Sequence, residues 1–238
     1  MTGAGEPTTL VCLPFAGAGA SFYHPWSRFA GDRLRVLPAR LPGRERLIDV
    51  EPHRDAHVAA AALLTQVVAD LGDAKRVALF GHSLGAVLAY ELAHRLLDVP
   101  GVEVVRLFAS GSPQPHVQRD RRATGLDDDE FVRRVREFAG FSDDALDDPE
   151  MRELILPTLR ADVEMHEGYV PSTTDPLPVP VTALRGADDE LVTSAEAAGW
   201  ATVTTAGFEL VEPPGGHMYL ADAGERLVHL VDRAVNEG

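Results

Sequence analysis

Gly81-His82-Ser83-Leu84-Gly85 has the GxSxG spacing of a nucleophile elbow, and that spacing has a steric cause. A serine held in a strained turn between a strand and a helix needs residues without a Cβ two positions away on either side. Such a turn lifts Ser83 Oγ clear of the sheet. It also points the first N–H groups of the following helix, beginning with Leu84, at any oxyanion that forms there. The chemistry implied is acyl transfer with Ser83 as nucleophile.

A serine hydroxyl is a weak nucleophile near neutral pH and needs a base, usually an imidazole oriented by a carboxylate. Nine histidines are available. His82 adjoins Ser83, but its side chain should leave the turn in another direction. His57, His94 and His229 fall in helical stretches, and His24, His53, His116 and His166 fall in segments poorly placed for the role. His217 follows a strand on a Gly-Gly loop, at the edge where parallel sheets place their chemistry. If the chain order is Ser, acid, His, the carboxylate lies between Ser83 and His217. From Val104 to Arg119 there is no Asp or Glu, whereas the loop after Val179–Leu184 offers Asp188, Asp189 and Glu190. A second oxyanion amide is expected from the small-residue loop Ala16-Gly17-Ala18-Gly19-Ala20, with Ala16 the first choice and Phe15 the next. That loop lacks GxGxxG spacing and does not read as a dinucleotide site.

Strands alternating with helices must hold these groups. Thr9–Phe15, Leu34–Leu41, Val77–Phe80, Val102–Ala109, Val179–Leu184 and Phe208–Val211 read as strands. Phe22–Ala30, His57–Leu71, the stretch after Ser83, Ser194–Thr204 and Met218–Asn236 read as helices, with Gly72 and Asp73 stopping the second. The alternation predicts an α/β fold with a mostly parallel sheet covered on both faces. It lapses from about 116 to 176, where Asp127–Glu130 opens a helix with Phe131, Val135 and Phe138 on one face. Met151, Leu154, Ile155 and Leu159 form a second stripe, interrupted by Pro157. Two or three amphipathic helices inserted there suit a lid over the site, or helices that only pack on the body. No repeat or linker divides residues 1–238, which read as one domain.

Composition narrows the partners. A net charge of −15 argues against a nucleic-acid ligand, since no broad basic surface can displace counterions from phosphate. No apolar run is long enough to cross a bilayer, and MTGAGEPTT has neither a basic nor a hydrophobic leader segment. A cytoplasmic protein is expected. The lone cysteine, Cys12, lies in an apolar run and reads as a small buried hydrophobe. Basic clusters occur at Arg40, Arg44 and Arg46 and at Arg119, Arg121 and Arg122.

These residues resemble the type II thioesterases that accompany polyketide and nonribosomal-peptide assembly lines, which are α/β-hydrolases. The resemblance spans essentially the whole chain. It runs through Leu13-Pro14-Phe15-Ala16-Gly17-Ala18, Leu41-Pro42-Gly43-Arg44-Glu45, Gly81-His82-Ser83-Leu84-Gly85-Ala86, Gly186 with Asp189 and Val192, and Gly215-Gly216-His217. The family pattern places the acid three residues after the glycine, which selects Asp189 over Asp188. Glu190 stands where the family often has proline, and Leu84 replaces a frequent methionine; neither removes a catalytic atom. The resemblance implies a serine thioesterase with Ser83, His217 and Asp189 as its catalytic groups and the Leu84 and Ala16 amides as its oxyanion hole; a monomer is expected. Its substrates would be stalled or mis-primed acyl groups on the phosphopantetheine arm of an acyl or peptidyl carrier protein. No metal or organic cofactor is implied, and Arg44 or Arg119–Arg122 would meet the acidic carrier. Other readings are a general carboxylesterase, a chain-releasing thioesterase and, more remotely, a non-catalytic interaction protein on a hydrolase scaffold.

Overall fold

The computed structural model describes residues 6–117, 122–139 and 146–236. Six strands form one sheet: β1 (Thr8–Leu13), β2 (Leu34–Pro38), β3 (Arg76–His82), β4 (Glu103–Ser110), β5 (Val181–Leu184) and β6 (Phe208–Val211). Their order is β2-β1-β3-β4-β5-β6, and every neighbouring pair is parallel. From β1 the chain moves outward to β2 and then returns to β3 on the other side. The C-terminal ends of β1 and β3 therefore flank the switch point, where open parallel sheets leave a crevice.

The strands are apolar on both faces because both are covered. Val11, Leu13, Val77 and Leu79 pack with helices α1 (Ala56–Leu71) and α2 (Leu84–Leu96). Leu10, Cys12, Ala78 and Phe80 point the other way, against Tyr23, Trp26 and helix α6 (Gly224–Asn236). A bulge at the start of β4 shifts its register against β3 between Val77 and Ala78. Val104 and Leu107 consequently share one face and Val105 and Phe108 the other. Asp55 caps α1 by accepting the His57 and Val58 amides. α1 carries apolar side chains on all sides but buries one side only, with Val58 and Val68 exposed.

The stretch expected as helix Phe22–Ala30 is a 3-10 helix at Ala20–Arg28 containing Pro25, whose missing N–H removes one ladder bond. The Ser194–Thr204 stretch divides into α5 (Ser194–Ala198) and a 3-10 turn at Gly199–Val203. Between β4 and β5 lie α3 (Asp128–Ala139) and α4 (Pro149–Glu167). Pro157 does not interrupt α4. Leu156, Thr158, Leu159, Asp162 and Met165 are buried around it, and those contacts outweigh the local cost of proline. Of the expected stripe, Leu159 is buried and Ile155 is partly buried against it, whereas Met151 and Leu154 are exposed. Phe131, Val132, Leu156 and Leu159 join α3 to α4 in a small apolar cluster of their own, and Ala16 touches it from the β1 loop. The side chain of Phe138 lies outside the described residues, as do Arg119 and Arg121.

Candidate active site

Ser83 sits between β3 and α2 with φ 52° and ψ −115°, a left-handed conformation that is costly for a residue with a Cβ. The chain tolerates no Cβ on either side of it. One on Gly81 would stand 1.9 Å from Gly85 O, and one on Gly85 would stand 2.5 Å from Leu13 O. The turn is tied to the sheet by Ser83 N–H, which donates to Ser110 O at 2.8 Å. Leu84 opens α2, so its N–H is among the four that the helix itself leaves unpaired. The β1 loop runs alongside, at the Leu13 and Pro14 carbonyls that Gly85 approaches. Within it, Gly17 N–H donates to Asp162 Oδ2 and Ala18 N–H to Phe15 O. Among the described residues neither the Ala16 nor the Phe15 amide donates a hydrogen bond to a protein acceptor.

The loops after β5 and β6 are knitted together by Ala187 N–H to Pro213 O and Asp188 N–H to Gly215 O. This brings Asp189 to His217, with Oδ2 2.8 Å from Nδ1. The other carboxylate oxygen, Oδ1, accepts the Leu191 and Val192 amides at 2.8 and 3.1 Å. Burial alone would push the Asp189 pKa up, but the His217 hydrogen bond and charge and the two amides hold it below the usual carboxylate range. An ionised carboxylate can only accept, so Nδ1 carries a proton, and in the neutral ring the lone pair lies on Nε2. Asp189 is buried, while Asp188 and Glu190 are exposed.

His82 points away into the protein. Its Nδ1 meets Ser110 Oγ at 2.9 Å, and Ser110 Oγ meets Tyr219 Oη at 2.8 Å. The His82 ring lies 4.7 Å from that of His217. Burial pushes the Tyr219 phenol up, so it remains a neutral hydroxyl in this chain of contacts. His57, His94 and His229 lie on α1, α2 and α6.

A thioesterase domain family model matches residues 8–235. The chain belongs to the thioesterase family. It is 31% identical over 228 residues to the gramicidin S biosynthesis protein GrsT of Aneurinibacillus migulanus, covering 93% of this chain and 86% of that one. It is 35% identical over 213 residues to the thioesterase PikA5 of Streptomyces venezuelae, covering 90% and 75%. Among solved structures, RedJ, a thioesterase of the prodiginine pathway in Streptomyces coelicolor, superposes with a TM-score of 0.86 at 32% identity, covering 97% of this chain and 87% of that one. The type II thioesterase BorB of the borrelidin cluster superposes with a TM-score of 0.83 at 32% identity, covering 97% and 92%. The resemblance to type II thioesterases and the α/β-hydrolase fold both hold.

In this thioesterase Arg44 has a different place from the one expected. It is 8% exposed and forks onto Asp162 of α4, with Nη1 and Nη2 each 2.7 Å from a carboxylate oxygen, so it is not a surface for a partner. Arg122 is exposed. Sequence reasoning missed Asp162, 118 residues from Arg44 along the chain. It also missed Arg185, whose Nε donates to Val192 O and whose Nη2 donates to Asp189 O and Ala187 O. That guanidinium clasps the loop carrying Asp189. Only its position at the end of β5 hinted at this. The thioesterase's Cys12 is buried, and burial pushes its thiol pKa well up, which makes it inert as a nucleophile.

Proposed function

We propose that the protein is an editing thioesterase that hydrolyses acyl groups from the phosphopantetheine arm of a carrier protein, with Ser83, His217 and Asp189 as its catalytic groups. Ser83 Oγ attacks the thioester carbonyl while His217 Nε2 takes its proton. The Leu84 and Ala16 amides stabilise the oxyanion. The C–S bond breaks, the pantetheine sulfur leaves as a thiol with the proton returned by His217, and an ester remains on Ser83. His217 then activates water, which releases the free acid and restores the serine. Asp189 holds the imidazole tautomer throughout.

The observation that carries this reading is the 2.8 Å contact between His217 Nδ1 and Asp189 Oδ2, set beside the strained Ser83 turn at the sheet's switch point. The relatives support the substrate class, since solved structures similar to this chain include YbtT, a type II thioesterase of the yersiniabactin pathway. The whole chain acts as one domain, a cytoplasmic monomer, with α3 and α4 as the cover over the site. A groove of about 750 Å³ beside His217 is lined by Arg226, His229 and Arg233 of α6. These recur at i, i+3 and i+7 and form one basic stripe, rimmed by Asp222 and Glu225, that suits an acidic carrier.

The test compares one acyl group presented as a carrier thioester, as a free pantetheine thioester and as a simple oxygen ester. The reading requires kcat/KM to be highest for the carrier. Equal or better turnover of the oxygen ester would replace it with a general carboxylesterase.

A further inference from the structure

The insertion between β4 and β5 joins the β1 loop through one buried residue of α4. Asp162 is 0% exposed. Its two oxygens take the two terminal nitrogens of the Arg44 guanidinium end-on at 2.7 Å each, and Oδ2 also accepts the Gly17 N–H at 2.8 Å. Arg44 donates further to Ala18 O at 2.9 Å and Pro42 O at 3.2 Å. One turn earlier on α4, Thr158 Oγ1 donates to Gly43 O at 2.6 Å. Glu45 secures the far end of the loop by accepting the Ala20 and Ser21 amides at 3.1 and 2.9 Å. The backbone is therefore pinned at residues 17, 18, 20 and 21, and Ala16 is covalently joined to the first of these.

Stability is a poor explanation for this arrangement, because a buried ion pair is often no more stabilising than an apolar pair of the same volume. What a bidentate guanidinium–carboxylate pair supplies is direction. An oxyanion donor needs that, since its distance from the developing charge must be held within about half an ångström.

We propose that Asp162 and Arg44 are positioning residues for the oxyanion hole. They lock the Gly17 peptide and through it the Ala16 N–H, so the hole is complete only while α4 is seated on the β1 loop. This rests on the reading of Ser83 and Ala16 given above. The middle turn of α4 then belongs to the catalytic scaffold. α3, held to α4 by apolar contacts and by solvent-facing pairs such as Arg152–Asp129 and Arg160–Asp128, is the part that separates at lower cost.

The test replaces the pair with apolar residues of similar volume, Arg44→Met with Asp162→Leu, which removes both charges together. Hydrolysis of an acyl-pantetheine thioester is measured beside inhibition by an alkylboronic acid, which becomes a tetrahedral anion on the serine. In a variant folded by circular dichroism, kcat should fall about 100-fold with KM within about threefold, and boronic acid affinity should fall in parallel with kcat/KM. A folded double variant with wild-type kcat would overturn the proposal. If the double variant melts below the assay temperature, Arg44→Lys decides, since it keeps the positive charge and leaves the Asp162–Gly17 contact in place. Its kcat loss must be smaller than about tenfold and matched by the boronic acid, and an unmatched loss overturns the proposal. A wild-type chain that left the thioester intact would instead remove the functional reading on which the inference stands.

Discussion

Replacing Asp189 by Asn changes one atom, and the structure shows where it must go. The Leu191 and Val192 amides both need an acceptor at the position of Oδ1. An asparagine turned the other way would set its NH₂ against two N–H donors and leave both unpaired, at about 1–3 kcal/mol for each buried group. The amide therefore keeps its oxygen toward the loop and presents NH₂ to His217 Nδ1. Facing a donor, Nδ1 must accept, the ring proton moves to Nε2, and the base loses the lone pair it needs for the Ser83 proton. In serine enzymes of this design the wrong tautomer costs about 10⁴ in kcat, equivalent to about 5 kcal/mol of barrier. The fold should be kept, because the number of hydrogen bonds is unchanged and only the stabilisation from the ionised carboxylate is lost. The assay is thioester hydrolysis by Asp189→Asn and Asp188→Asn, with melting followed on both. A loss below about tenfold in Asp189→Asn, or an equal loss in Asp188→Asn, would refute the tautomer argument.

Three further outcomes are expected. Gly85→Ala would press a Cβ to within 2.5 Å of Leu13 O and 3.0 Å of Pro14 O; overpacking of that kind costs about 2–3 kcal/mol and should lower Tm by roughly 5–10 °C in thermal denaturation. Because the Asp189 pKa is lower folded than unfolded, its stabilisation is present above the usual aspartate value near pH 4 and lost as pH falls through the folded value. The difference in unfolding free energy between wild type and Asp189→Asn, measured by urea denaturation, should shift against the wild type below about pH 4. Arg226→Glu with Arg233→Glu should raise KM for an acyl carrier about tenfold at low salt, with the effect shrinking in high salt, and leave KM for acyl-pantetheine unchanged. Equal KM changes on both substrates would count against the α6 stripe.

What the sequence made legible was local. The spacing of Gly81, Ser83 and Gly85 follows from backbone clashes within five residues, so the turn can be read without its surroundings. The parallel α/β alternation was equally plain, because each strand buried on both faces is an apolar run bounded by turn residues. The choice between Asp188 and Asp189 was not available from composition, because both sit in one loop; the family spacing pointed to Asp189, and in the fold it is Asp189 that is buried and meets His217 while Asp188 is exposed. Arg44 shows the opposite limit. In the sequence it is one of three nearby arginines and reads as surface, since nothing local reveals a carboxylate 118 residues away. Arg185 was illegible for a related reason: besides Glu212, 27 residues away, its partners are backbone carbonyls, which every residue carries. Pro157 and Pro25 mark where tertiary packing decides the outcome: buried contacts carry α4 through its proline, whereas the segment around Pro25 settles into a 3-10 helix.

The central claim is that Ser83 removes acyl groups from a carrier thioester, and its most direct test is intact mass. A carrier protein loaded with a short acyl group is incubated with the wild-type chain and with Ser83→Ala. The account predicts loss of the acyl mass, leaving the free phosphopantetheine thiol, with wild type only. Deacylation at the same rate by Ser83→Ala, or a loaded carrier left intact by wild type while a simple ester is cleaved, would contradict it.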